Sequence, residues 1–196
     1  MTIVYEIGSS LYLNITNKCP CSCEFCVRNF SLGITPGETL WLDYEPDISE
    51  IIAVVSKVDL SKYKEIVFCG FGEPTEQLDN LLECAKFLKT QCNLPIRLNT
   101  NGLSDLINEK DTVPLLAQYI DKVSISLNAP DKDMYNKLCD PVFGDRSYDA
   151  LIQFIKDCKK HMPSVAVTVV GSVLDEDSMA KCRDLCSALK VNLTVR

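Results

Sequence analysis

The chain has 196 residues and a formal net charge of −7, with 46% hydrophobic and 24% charged residues. This is near the globular average, so disordered, collagen-like and low-complexity architectures are excluded and one domain, residues 1–196, is expected. No apolar run approaches the ~18 residues of a membrane span, and Met1-Thr2-Ile3-Val4-Tyr5-Glu6 lacks the basic and apolar regions of a signal peptide. The expectation is a cytoplasmic protein with no membrane partner, whose acidity also opposes a phosphate backbone, so nucleic acid is not the expected partner.

In chain order, Ile3–Ile7 reads as a strand turning at Gly8-Ser9 into a second, Leu11–Ile15. Asp47 with Glu50 three residues on forms a helix start over Ile51, Ile52, Val55 and Val58. A strand at Glu65–Cys69 precedes a helical stripe of Leu78, Leu81, Leu82, Ala85 and Leu88. Ile96–Asn99 follows, and then Pro114 opens a helical turn toward Leu115 and Leu116. Strands at Val123–Leu127, Val165–Val170 and Val191–Val195 alternate with stripes at Tyr148–Cys158 and Met179–Leu189. Phe30–Tyr44, with Gly33, Pro36 and Gly37, is the longest irregular segment and is expected to form a loop over the site. Alternating strands and helices give an α/β fold with a mainly parallel sheet. The chain is short of the ~250 residues of a closed eight-unit barrel, so a partial, open (β/α)6 barrel is expected, with an open doubly wound sheet as the alternative.

In either architecture the active site lies beyond the carboxyl ends of the strands. Those ends carry, in turn, a cysteine cluster, Gly70-Phe71-Gly72-Glu73-Pro74, Thr100-Asn101-Gly102, Ser126-Leu127-Asn128 and Gly171-Ser172. Of eleven cysteines, four fall within eight positions, in Cys19-Pro20-Cys21-Ser22-Cys23-Glu24-Phe25-Cys26. Skipping Cys21, the spacing is C-x-x-x-C-x-x-C. Thiolates are soft ligands for iron–sulfur clusters, zinc and copper(I). Three on one short loop hold three corners of a [4Fe–4S] cube and leave the fourth iron open to an exchangeable ligand, whereas an electron carrier uses four thiolates. The alternative is a zinc site with Cys21 as fourth ligand, although no second knuckle exists to supply the usual paired spacing. The remaining cysteines read mostly as core: Cys182 and Cys186 lie on one apolar helix face, and Cys84 and Cys158 abut apolar stripes. Cys69 is placed to face the pocket. Cys139 reads as a free loop thiol and the one scattered cysteine with a candidate catalytic role. Arg196 follows the last strand at the mouth, where it meets a carboxylate or is solvated.

This cysteine loop after the first long strand, with Phe25 before its last cysteine, resembles the radical S-adenosylmethionine (SAM) superfamily. Gly70-Phe71-Gly72-Glu73-Pro74 is similar to that superfamily's G-G-E-P turn, and Thr100-Asn101-Gly102 and Ser126-Leu127-Asn128 stand where its next strand-end motifs stand. The length and the opening Val4-Tyr5-Glu6-Ile7-Gly8 are similar to a small TatD-associated radical SAM group. The resemblance implies a [4Fe–4S] cluster on Cys19, Cys23 and Cys26, with SAM as second cofactor. It also implies SAM contacts from Phe25, Gly70, Phe71, Gly72, Glu73, Asn99, Asn101, Ser126, Asn128 and Gly171, with Glu73 meeting the methionine ammonium or bracing its turn. The function expected is reductive cleavage of SAM to a 5′-deoxyadenosyl radical that takes hydrogen from a small molecule, peptide or partner protein. The electron comes from a donor such as flavodoxin or ferredoxin. Two alternatives stay open: an activating enzyme that installs a radical on a partner protein, and a non-catalytic zinc or iron–sulfur module.

Overall fold

The computed structural model describes residues 1–30 and 39–196. The described residues form a seven-stranded sheet in sequential order, from β1 (Val4–Ile7) and β2 (Ser10–Leu13) through β3 (Glu65–Phe68), β4 (Ile96–Thr100) and β5 (Lys122–Ser126) to β6 (Ser164–Val169) and β7 (Asn192–Val195). β1 is antiparallel to β2, and the next five pairings are parallel. Six parallel strands in sequential order are a partial (β/α)6 barrel, as the alternation predicts, and β1 does not pair with β7. The part of Phe30–Tyr44 expected as an overlying loop lies mostly outside the described residues.

The crossovers are helical: α1 (Ile48–Val55), α2 (Leu78–Gln91), α3 (Ser104–Asn108) and α4 (Val113–Leu116), α5 (Lys132–Cys139) and α6 (Arg146–His161), and α7 (Glu176–Leu189). Their ends follow local chemistry. Asp47 and Glu50 form a reciprocal capping box on α1, while Asp131 and Asp175 accept from the third amides of α5 and α7. Asp140 and Lys190 end those two helices in the left-handed region. α3 and α5 are absent from the sequence-derived elements, since five and eight residues are too few to display a helical stripe.

Strand alternation sorts the two faces of the sheet. Leu11, Leu13, Ile66, Phe68, Ile96, Leu98, Val123, Ile125, Val167 and Val169 are buried in the core beneath the helices. Cys84, Cys158, Cys182 and Cys186 join them there, as the apolar stripes predict. The opposite, concave face carries Tyr12, Arg97, Asn99, Lys122, Ser124 and Thr168. The chemistry therefore collects inside the curve and at its carboxyl-end rim.

Candidate active site

β2 ends at Leu13, and the chain turns away from the sheet over Asn14–Lys18 into the cysteine loop. Buried side chains frame this turn. Asn14 donates to the Thr2 and Leu40 carbonyls at 3.1 and 2.7 Å, and Asn17 donates to Leu42 O at 2.7 Å. From the next strand, the amides of Gly72 and Glu73 donate to Thr16 O and Lys18 O at 3.1 and 2.8 Å. The approach explains the glycines. A Cβ on Gly72 would lie 2.3 Å from Thr16 O, and one on Gly70 would lie 1.9 Å from Asn14 Oδ1.

Glu73 is only 3% exposed. Its carboxylate accepts from the Thr75 amide and hydroxyl (3.1 and 2.8 Å), Thr100 Oγ1 (2.8 Å) and the Asn101 amide (2.7 Å). Burial pushes its carboxyl up, against the pull of these four donors. The geometry makes Glu73 a brace that joins the β3 and β4 ends.

The far side of the cysteine loop is stitched to the end of α5. The Ser22 amide donates to Cys139 O at 3.0 Å, Glu24 N to Leu138 O at 3.0 Å, and Val142 N to Pro20 O at 2.9 Å. Arg28 clasps the loop from within, donating to Cys21 O at 2.9 Å. Cys139 is thus no loop thiol: it is 1% exposed at the C-terminus of α5, with its sulfur against Cys23 and Asn128 Nδ2 3.9 Å away. Cys21, 3% exposed, sits between Cys19 and Cys23. Hydrogen bonding from Cys139, then from Cys21, draws the Cys23 thiol down to about 4. Cys21 likewise lowers Cys19, and both donors are themselves held high. Burial raises Cys26. Cys21 and Cys139 thus both lie against Cys23.

One cavity of about 300 Å³ gathers the strand-end residues. Cys19, Cys21, Cys23, Cys26 and Phe25 of the cysteine loop line it together with the strand-end residues Cys69, Gly70, Gly72, Glu73, Asn99, Asn101, Ser126 and Asn128, and with Arg196. Phe71 is not among its walls; it is buried with its ring edge-on to Trp41 at 5.2 Å. Gly171 also lies outside, packed against β7, where a Cβ would meet Val195 Cγ1 at 2.7 Å. Asn101 Nδ2 points at the sulfurs of Cys19 and Cys21 (4.0 and 3.9 Å), while its Oδ1 accepts from the Leu103 amide. Asn99 Oδ1 is taken by Arg97. Asn128 is different: at φ 60° and 6% exposure, its Oδ1 is buried with no partner in the protein. Sequence reasoning missed Asn14, Thr100 and Arg28 as supports. Arg28 alone left a trace, as a cation two residues after the last cysteine.

A family model for the radical SAM superfamily matches residues 13–186. The chain belongs to the radical SAM superfamily. Radical SAM proteins use a [4Fe–4S] cluster and SAM. The chain is 29% identical to a probable dual-specificity RNA methyltransferase RlmN of Caldanaerobacter subterraneus subsp. tengcongensis, over 83% of this chain and 44% of that protein. It spans about half the length of the curated relatives it matches. Among solved structures it is similar to SuiB of Streptococcus suis bound to the precursor peptide SuiA, with TM-score 0.71, 21% identity, and coverage of 98% of this chain and 40% of that one. It is also similar to the methylornithine synthase PylB, with TM-score 0.66, 16% identity, and coverage of 95% and 52%. These likenesses show the radical SAM partial-barrel fold. Relatives named for RNA remove the support for setting nucleic acid aside on charge alone. No helix among the described residues is long and apolar enough to cross a membrane.

The residues fit the superfamily's cofactors. Cys19, Cys23 and Cys26 share one loop and line the cavity together with Cys21, a donor set of soft thiols, and Asn128 lines the same space.

Proposed function

We propose that residues 1–196 form the catalytic core of a radical SAM enzyme, with Cys19, Cys23 and Cys26 holding a [4Fe–4S] cluster. The carrying observation is the cavity itself: those thiols share one lining with neutral hydrogen-bonding groups at the ends of β4 and β5. Such a cluster would supply the single electron for reductive cleavage of the sulfonium C–S bond of SAM, and with it a 5′-deoxyadenosyl radical able to take hydrogen from substrate. The chain supplies position and exclusion of water. Asn128 lines the cavity at the end of β5 and offers a neutral amide there. The Ser126 hydroxyl accepts from Arg196 at 2.9 Å and keeps its own hydrogen to donate. Phe25 offers a ring face beside the thiols. Glu73 holds the two strand ends in register without itself being free for substrate.

The electron comes from an external one-electron donor of the flavodoxin or ferredoxin type, in a reducing compartment such as the cytoplasm, where eleven free thiols persist. The test is anaerobic reconstitution followed by SAM and dithionite. About four irons per chain with release of 5′-deoxyadenosine supports the reading. Bound zinc, or iron with SAM left intact, overturns it.

A further inference from the structure

The concave face of the sheet holds a second cavity, of about 430 Å³, beside the first. The two share Asn99 and Arg196 as walls. This position, adjoining the cofactor site and within the size range of small-molecule sites, is where a substrate would meet SAM. Its charge is opposite to that of the chain. Arg97, Lys122 and Arg196 line it with Glu65 as the sole carboxylate, although the whole protein carries −7.

The register stacks these groups from floor to mouth. Arg97 pairs across from Lys122, and Glu65 begins the neighbouring strand β3. Glu65 is divided between two cations, with Oε1 2.9 Å from Arg97 Nη2 and Oε2 3.3 Å from Lys122 Nζ. It neutralises one of them at most. Arg97 also lies 6.0 Å from the Tyr12 ring, which stacks on Tyr5. Arg196, nearest the cofactor cavity, donates only to the neutral hydroxyls of Ser126 and Thr168. Among the described residues no carboxylate reaches it. Burial, with the like charge of Arg97 adding to it, holds its guanidinium below the usual value. Three cations lining one cavity, with a single carboxylate shared by two of them and, among the described residues, none on the third, are a built receptor for an anion.

We propose that this concave cavity takes a small-molecule substrate bearing a carboxylate or phosphate, held between Arg97, Lys122 and Arg196 and presenting its reacting carbon to the cofactor cavity. The proposal rests on the radical SAM reading for the word substrate, and on the lining charges alone for the anion.

The test is calorimetric titration of the reconstituted protein, with SAM present, using inorganic phosphate and acetate as probes. Wild type binds at least one of them saturably, one per chain, and which one binds tighter identifies the acid. Arg196→Gln and Lys122→Gln each weaken binding about tenfold, and Glu65→Gln tightens it, because the competing carboxylate is gone. Saturation at one anion per chain, together with this opposite sign, separates the site from nonspecific ion binding, which does not saturate. Lys122 lies outside the cofactor cavity, so Lys122→Gln still cleaves SAM without substrate at the wild-type rate. Absence of saturable binding to wild type, or equal binding by all variants, overturns the proposal. So does tighter binding of a single-stranded RNA oligonucleotide with a salt slope of several phosphates. If the anion pattern holds but no deoxyadenosine forms, the cofactor reading fails and the anion site stands.

Discussion

Gly72→Ala tests how the β3 turn carries the cysteine loop. The added methyl would lie 2.3 Å from Thr16 O, 2.6 Å from Lys18 O and 2.8 Å from Thr16 C. These are backbone atoms, so no rotamer change relieves the overlap. Forcing a methyl into such a site costs about 1–3 kcal/mol. Pushing the strands apart also stretches the Gly72–Thr16 and Glu73–Lys18 hydrogen bonds, at about 0.5–1.5 kcal/mol each. A total of about 3 kcal/mol is expected, which at a urea slope of about 2 kcal/mol/M lowers the unfolding midpoint by about 1.5 M. Because Thr16–Lys18 leads directly into Cys19, iron incorporation falls as well. Gly8→Ala is the control. It has open space and φ +61°, so it costs about 1 kcal/mol of backbone strain and leaves iron content unchanged. Wild-type stability and full iron loading in Gly72→Ala would show that the turn does not position the loop.

Further outcomes follow from the same geometry. Alanine at Cys19, Cys23 or Cys26 abolishes the cluster, whereas Cys21→Ala keeps about four irons; iron and sulfide analysis of the four variants checks this, and iron loss from Cys21→Ala would make it a ligand. Cys182→Ser and Cys186→Ser, at fully buried positions, lose about 1–3 kcal/mol by burying a hydroxyl but retain wild-type iron; a drop in iron would signal a second cluster. Glu73 has its carboxyl pKa raised above the usual 4.5 by burial. The native state therefore binds this proton more readily than the unfolded chain, and stability conferred by the protonated form is lost as pH rises from about 4.5 through the raised value. Urea titrations should show wild type losing stability relative to Glu73→Gln across that window, and a flat or opposite difference would refute the sign.

Much of the fold was legible because each strand is a short β-branched run ending in a glycine or small polar turn. Alternation with helices left a partial barrel and a doubly wound sheet open, chain length favoured the barrel, and the sequential strand order agrees with it. The cysteine loop was legible from spacing alone, since three soft ligands on one loop leave few alternatives. The roles of individual polar residues were less so. Phe71 sits inside the glycine turn yet points to Trp41, and Gly171 serves packing against β7, because sequence position at a strand end does not fix which way a residue faces. Cys139 was misplaced because the eight residues of α5 show no full stripe; Asp131 as cap was the available sign. The charged concave face was also missed. Glu65, Arg97 and Lys122 occupy outward-alternating positions in strands otherwise apolar, a pattern that marks a polar lumen once the sheet's curvature is known.

The central claim is an iron left open by three cysteine ligands and filled by SAM. The most direct measurement is the electron paramagnetic resonance spectrum of the dithionite-reduced protein before and after SAM is added. The account predicts a reduced [4Fe–4S] signal whose g-values shift on SAM addition in wild type and in Cys21→Ala alike. A spectrum indifferent to SAM, or a shift that appears only when Cys21 is removed, would contradict it by showing that the fourth position is already held by the protein.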